Sequence, residues 1–296
     1  MPKSNLLAML AAYVTSTPIR LNVFTAQTWV TRSGISAKIL KQLDKLIATL
    51  ASHSFVDSTS QRDFLLKKGI IEKKKTSVLA NGSLGGVDLN KFRRNEKVRT
   101  CMRKKSNLTD DDIVILYMSR LTKTKGAWVV ADVFPAIAGI SKHAHLIVVG
   151  PEEEQGARRY IKESCSACKS QLHIHNRTNT PEDFFSMADI LWVPSLNEGF
   201  GLVVINAAAS GIPSIGSNIY GLQDSISNEE TGLLHKVADK NDIVRTFNRI
   251  LHNQTLRLVL GNNALERTRQ NFSKELFTKA LIKEINHYCN MLRKDI

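Results

Sequence analysis

The stretch "DILWVPSLNEGFGLVVINAAASGIPSIGS" (residues 189–217) decides how the chain folds. It opens with a short β-prone apolar run that ends at Pro194 and closes with a second run over 212–217. Between them, residues 201–210 are aliphatic or small; Gly211 ends that segment and Pro213 follows, the usual stop signal of a helix. Strand, helix and strand in so short a span read as one crossover unit of a parallel sheet. The connecting loop sets Glu198 directly before Gly199-Phe200-Gly201 at the mouth of the helix, and Asn206 lies among its otherwise small or aliphatic residues.

The same alternation runs outward in both directions. Strands are expected at 112–119, 144–150, 171–176 and 232–237, with helices near 126–139, 152–169 and 181–187 and three closing helices near 239–252, 254–270 and 273–293. Alternation of this kind predicts an α/β domain with a parallel sheet covered on both faces. The first hundred residues carry a thinner version: helices at 4–14, 35–51 and 59–68, and strands at 19–25, 53–58 and 76–81. Three strands make an abridged sheet, since a doubly wound domain usually carries five or six. The expected division is 1–105 for the first unit, 106–272 for the second and 273–296 for a C-terminal helix returning toward the first, with residues 81–105 serving as the linker.

Charge marks the same boundary. The net charge is +14, and residues 1–105 hold 20 Lys and Arg against 6 Asp and Glu, whereas residues 106–296 hold 21 of each. Basic clusters at 67–75 and 93–105 suit a polyanion, whether nucleic acid, an acidic membrane surface or a phosphate-bearing substrate, or else form a solvated face. Aromatics amount to 6%, and no stacking or groove-reading motif accompanies the charge, which argues against nucleic acid. No apolar run reaches the roughly 18 to 20 residues that a membrane-spanning helix needs. Residues 1–14 read as a buried amphipathic helix rather than a secretory signal, because a single Lys3 makes a thin cationic leader. Cys165, Cys168, His173 and His175 offer four soft ligands, but they fall on a helix followed by a strand instead of the tight knuckle that zinc requires.

In an open parallel sheet, ligands bind beyond the carboxyl ends of the strands. Three features map to that edge. "SRLTKTKG" (119–126) presents Arg120 and Lys125 just before a helix, cations suited to a diphosphate. In the loop at 195–201, Gly199 and Gly201 let a ligand approach the backbone, and Glu198 brings acceptor oxygens suited to sugar hydroxyls. The bland alternative for Glu198 is a favourable charge at a helix terminus, worth about 0.3 to 1 kcal/mol. The third feature, "ANGSLGGVD" (80–88), lacks the spacing of a P-loop or a dinucleotide fold, so Asn81 and Gly82 read as a hinge-side loop facing the same crevice.

"SRLTKTKG", "VVGPEEE", "MADILWVPSLNEGFGLVVINAAASGIPSIGSNIYGLQDSI" and "NEETGLLH" resemble, in order and spacing, the nucleotide-sugar half of the family 4 retaining glycosyltransferases of GT-B fold, over about residues 76–270. "FTAQTWVTRSG" and "DSTSQRDFLLKKGIIEKKKTSVLANGSLGGVDLNKF" are similar to the bacterial branch that builds capsular and O-antigen polysaccharides on lipid carriers. The resemblance implies two Rossmann-like domains facing across a cleft and transfer, with retention, of a hexose or N-acetylhexosamine from a nucleotide sugar, UDP-linked by expectation, to a lipid-linked saccharide. It implies no cofactor and no metal, so that Arg120 and Lys125 would stabilise the leaving diphosphate while Glu198 and the amides of Gly199, Phe200, Gly201 and Leu202 hold the donor sugar. By the same carry-over Gly150, Asn176 and Arg177 belong to the donor site, and Asn206 stands where the family places a ribose-binding glutamate, which predicts weaker donor binding. The implied location is cytoplasmic, peripheral on the inner face of the cytoplasmic membrane, with the basic half on the anionic lipid surface. Two departures stand out: "MPKSNLLAMLAAYV" reads as the interior of such a domain, without the family's opening strand and glycine-rich loop, and "FTAQTW" (24–29) occupies the cleft-facing place where many relatives show a histidine, supplying Thr25 and Gln27 but no general base. The alternative is therefore a nucleotide-sugar-binding remnant or subunit without catalytic activity.

Overall fold

The structure is a computed structural model and describes residues 2–294. Helix α1 (Pro2–Val14), strand β1 (Leu21–Phe24), α2 (Gly34–Leu50), β2 (His53–Val56), α3 (Thr59–Lys67) and β3 (Thr76–Val78) make the first domain, whose parallel sheet has the order β1-β2-β3. α1 differs from the expected buried amphipathic helix. It packs mainly on α2, which covers one side only, and Leu7 and Val14 remain 68% and 80% exposed.

After α4 (Glu96–Lys105) the chain alternates strictly: β4 (Ile113–Met118), α5 (Ala127–Ile140), β5 (Ala144–Val149), α6 (Ala157–Ser164), β6 (Leu172–His175), α7 (Pro181–Met187), β7 (Ile190–Val193), α8 (Leu202–Ala209), β8 (Ser214–Ser217), the single turn α9 (Leu222–Ser225) and β9 (Gly232–His235). Helices α10 (Lys240–Leu251), α11 (Gln254–Asn271) and α12 (Lys274–Lys294) follow. The second sheet is parallel throughout, in the order β6-β5-β4-β7-β8-β9. Both of its faces are covered. Ile115, Tyr117, Leu146 and Trp192 pack on one side against Phe134 and Phe247, and Val114, Leu116, Ile147 and Leu191 pack on the other against Phe185 and Val204. Burial of alternate residues on opposite faces is why these strands read as continuous apolar runs.

The basic stretch at 93–105 is not a linker. It forms α4, which starts at the Asn95 cap and lies along α7 of the second domain, so the packing boundary falls before residue 106. Two of its cations are held inside the protein. Arg99 and Arg103 pair with opposite oxygens of Asp189 at 2.7 and 3.1 Å, and Asp189 also accepts the amide of Val114 at 2.8 Å. A helix whose arginines turn inward to a half-buried acid of another segment has a composition that resembles a solvated charge run. On α12, Tyr288 sets its ring 5.7 Å from that of His53 in the first domain.

Cys165 and Cys168 are buried against α5 and α6, while His173 on β6 faces His145 at 3.4 Å. Among the described residues no three metal-capable side chains converge.

Asp189→Ala leaves Arg103, 2% exposed, without its counter-charge. Urea denaturation is expected to show a loss of about 3 to 5 kcal/mol, whereas Glu96→Ala, which breaks the exposed Arg94–Glu96 pair, is expected to cost less than about 1 kcal/mol.

Candidate active site

Strand order brings the two predicted loops together. From β4 the chain steps outward through β5 and β6 and returns to β7 on the other side of β4, so the helices that follow β4 and β7 leave toward opposite faces. A crevice opens between their loops at the carboxyl edge. The loop after β4 is pinned from below, where the buried Tyr117 hydroxyl donates to the Lys125 carbonyl at 3.1 Å, and from the side, where the Leu196 amide donates to the Thr124 carbonyl at 2.9 Å. Gly126 makes this approach possible. It has a φ of +79°, and a Cβ there would lie 2.2 Å from the Pro194 carbonyl oxygen.

Lys125 Nζ meets Glu198 Oε1 at 2.7 Å, and Ser195 Oγ donates to the same oxygen at 2.9 Å. Both charged side chains are mostly buried, at 17% and 12% exposure. Glu198 is therefore not a helix-terminus charge in solvent but one half of a desolvated pair, and such pairs add little net stability because desolvation offsets their attraction. Their value lies in holding a cation and an acceptor at one point. Arg120 sits at the rim, paired with Glu153 at 2.8 Å but 55% exposed. An exposed pair of this kind is worth about 0 to 1 kcal/mol, so a phosphate can displace it readily.

Across the crevice stands the first domain, and the two enclose a cavity of about 720 Å³ lined by Thr25, Gln27, Asp57, Arg120, Lys125 and Glu198 among others. The domains meet through polar contacts: Asn197 Nδ2 donates to the Gln27 carbonyl at 2.7 Å, the Tyr220 hydroxyl lies 3.4 Å from Gln27 Oε1 while donating to Asn197 Oδ1 within its own domain at 2.6 Å, and the Gly221 amide donates to Ser60 Oγ at 2.7 Å. Ser60 also bonds Asp224, and the rings of Phe64 and Tyr220 stack at 4.5 Å. Asn81 Nδ2 reaches Asn271 Oδ1 at 3.2 Å, a tie between the end of the first domain and the end of α11.

The predicted residues fall in four places. Arg120, Lys125, Glu198, Gly199, Gly201 and Leu202 line the cavity, as does Gln27. The Gln27 side chain, however, is 2% exposed and held at both ends, its Nε2 donating to the Thr25 carbonyl and its Oε1 accepting from Gln61 Nε2. Phe200 contributes backbone alone: its ring is buried in a cluster with Ile205 and Phe272, 5.2 Å from the latter, and Gly82 packs against it. Asn206 lies one helical turn beyond Leu202 and Val203 on the same face of α8, outside the cavity lining and without a side-chain hydrogen bond among the described residues. Gly150, Asn176 and Arg177 follow β5 and β6, farther along the same carboxyl edge, with Asn176 and Arg177 exposed.

Asp57, Asn197 and Tyr220 were not singled out by the sequence pattern. The signal for Asp57 was its place at the carboxyl end of a parallel strand, here β2. Burial pushes its carboxyl up to about 6; the Leu84 amide and, less strongly, Lys125 pull it down, and the charge of Glu198 adds to the rise.

A two-domain parallel α/β protein with this crevice belongs to the GT-B architecture. HepE of Anabaena, solved with UDP and glucose, superposes with a TM-score of 0.82 at 16% identity over 97% of this chain and 76% of that one. WaaG, a glycosyltransferase involved in lipopolysaccharide biosynthesis, superposes at 0.69 with 15% identity, over 92% and 79% of the two chains. The profile of the family described as "Glycosyl transferases group 1" covers residues 98–267, more than half of the chain. The chain belongs to that family. It is 26% identical over 291 residues to the capsular polysaccharide biosynthesis glycosyltransferase CapM of Staphylococcus aureus, spanning 97% of this chain and 75% of that protein. It is 22% identical to the UDP-Gal:alpha-D-GlcNAc-diphosphoundecaprenol alpha-1,3-galactosyltransferase of Escherichia coli, over 88% and 67% of the two. Of three further curated relatives it spans between 46% and 50% of the length.

Gly199→Ala tests the closeness of the two domains. Its Cβ would lie 2.3 Å from Asp57 Oδ2 and 3.1 Å from the Ala26 amide nitrogen. Urea unfolding is expected to show a loss of about 1 to 3 kcal/mol, and part of it should return in the Gly199→Ala/Asp57→Ala double variant. Strictly additive effects would show that the contact is absent.

Proposed function

We propose that this glycosyltransferase transfers a hexose or N-acetylhexosamine from a UDP-sugar to a lipid-linked saccharide in surface polysaccharide synthesis, as a family 4 enzyme acting with retention. The carrying observation is the Lys125–Glu198 pair at the switch point of the second sheet, with Arg120 on the rim and the first domain opposite. A fixed cation and a fixed carboxylate side by side suit a sugar diphosphate, whose phosphates take the ammonium and whose sugar hydroxyls donate to the carboxylate. UDP in the HepE structure and the lipid-diphosphate acceptor named for the E. coli relative support the substrate classes.

In this reading Lys125 and Arg120 neutralise charge as it develops on the departing diphosphate, work that preorganised cations perform well in a partly desolvated site. Glu198 and the amides of Gly199 to Leu202 orient the donor sugar. Asn206 accepts a ribose hydroxyl as a neutral amide, and Gly150, Asn176 and Arg177 lie toward the nucleoside. No metal ion is required, and turnover is expected unchanged in EDTA. The basic residues of the first domain hold the anionic inner face of the cytoplasmic membrane, each contributing about 1 kcal/mol near such a surface.

UDP titration tests the donor site. UDP at a hundredfold excess over its Kd is expected to stabilise the chain by about 2.7 kcal/mol in thermal unfolding. Calorimetry is expected to show Lys125→Ala and Arg120→Ala each weakening UDP binding by about tenfold or more. Absence of any shift in the unmodified chain would refute the donor site. Asn206→Glu restores charge assistance and is expected to tighten UDP by about fivefold; unchanged affinity would mean that Asn206 does not hold the ribose.

A further inference from the structure

Asp57 projects from the first domain at the carboxyl end of β2 and lines the cavity opposite Lys125 and Glu198. Its backbone is fixed on both sides, the amide donating to Gln61 Oε1 at 2.9 Å and the carbonyl accepting from the Ser83 amide at 2.8 Å. Oδ1 accepts the Leu84 amide at 3.2 Å, whereas Oδ2 takes no hydrogen bond among the described residues and lies against Gly199. Asp44, a second acid in the same lining, is set deeper: it is 5% exposed, with its Oδ2 under the Trp29 indole N–H at 2.8 Å, whereas Asp57 is only half-buried. Asp57 thus presents a rigidly held, unengaged carboxylate oxygen on the face of the cavity that belongs to the first domain.

A carboxylate cannot serve a diphosphate, which it repels, so its ligand is a hydrogen-bond donor. The donor sugar already has Glu198 for its hydroxyls. We propose that Asp57 Oδ2 accepts the hydrogen bond of the acceptor hydroxyl that attacks the donor sugar, and takes its proton as the glycosidic bond forms. This assignment rests on the glycosyltransferase reading above. In the step, the O–H electron pair becomes the bond from the acceptor oxygen to the anomeric carbon. The bond from that carbon to the diphosphate breaks, and its pair leaves on the diphosphate, toward Lys125 and Arg120. The proton stays on Asp57 until it passes to solvent; for retention the acceptor oxygen enters on the face of the sugar that the diphosphate leaves.

Burial makes the group a better base than an exposed aspartate while leaving it ionised at neutral pH, since its carboxyl is held at about 6. Facing it from the second domain are Glu198, which raises it, and Lys125, which lowers it, with Arg120 and Glu154 in the same lining; from its own side come Asp44 and Arg32. The base works ionised, so kcat/KM is expected to fall as pH drops through about 6.

The test uses the full chain and Asp57→Asn, which keeps the shape and removes the base. Binding is measured with UDP by calorimetry. Turnover is read as UDP released from UDP-galactose, UDP-glucose or UDP-N-acetylglucosamine, with undecaprenyl-diphosphate-linked N-acetylglucosamine as acceptor. Asp57→Asn is expected to bind UDP within about threefold of the unmodified chain, to lose about a hundredfold or more in kcat, and to lose the acid limb of the pH profile. Asp57→Glu should recover part of the rate together with an acid limb. Turnover within about threefold of the unmodified chain, an unchanged acid limb, or loss of UDP binding in Asp57→Asn would each overturn the assignment. A chain that fails to bind UDP at all would instead refute the donor site, and one that binds UDP but releases none from any donor would refute transfer and this role with it.

Discussion

The crevice depends on β4 and β7 lying side by side, because that pairing is where the chain, having walked outward through β5 and β6, has to come back. Parallel neighbours can be joined only by crossovers, and at the reversal the two crossovers depart to opposite faces of the sheet. The loops leaving β4 and β7 are then left facing each other with nothing between them. One acid secures the other end of the same pair: Asp189, at the start of β7, accepts the amide of Val114 at the start of β4, and its own amide donates to the Val114 carbonyl at 2.9 Å. Arg99 and Arg103 hold Asp189 in turn. A network at the amino ends of the strands therefore sets the register that places Lys125 and Glu198 at 2.7 Å at the carboxyl ends.

Charge inside the crevice is arranged for position more than for stability. Lys125 and Glu198 are desolvated together, and the net energy of such a pair is small. What the pair does is keep two long side chains in one geometry within reach of both domains. Asp57 stands across from them on the first domain, close enough that Gly199 has no room for a side chain. Glu198 and Lys125 act on the Asp57 carboxyl in opposite senses, the first raising it and the second lowering it. The ties between the domains are polar, running from Asn197 and Tyr220 to Gln27 and from Gly221 and Asp224 to Ser60, the kind of contact found between domains of one chain.

Most of the fold was legible because a parallel sheet buried on both faces writes its strands as plain apolar runs, and all six strands of the second domain lie within the stretches expected for them. α4 escaped because its arginines are buried by pairing with Asp189, a distant acid, and no local pattern records that partnership. α9 escaped because a single turn has no periodicity to read. In the site, Lys125 and Glu198 were legible from their loops, since the carboxyl edge of a parallel sheet is a defined place. The direction of the Phe200 ring was not legible, because the same short loop that brings backbone amides to the cavity turns that ring toward Phe272, a contact between distant segments.

The sequence by itself determined the alternation of strands and helices, the glycines that let loops approach one another, and the cations and acid at the carboxyl edge of the second sheet, because each of these follows from local chemistry and spacing. Tertiary structure alone decided that Lys125 and Glu198 form one pair, that Gln27 is consumed by its neighbours, and that Asp57 faces the same cavity from the other domain. Those facts depend on which strands are neighbours and on how two domains meet, and such relations between remote residues leave no mark on the residues taken one after another.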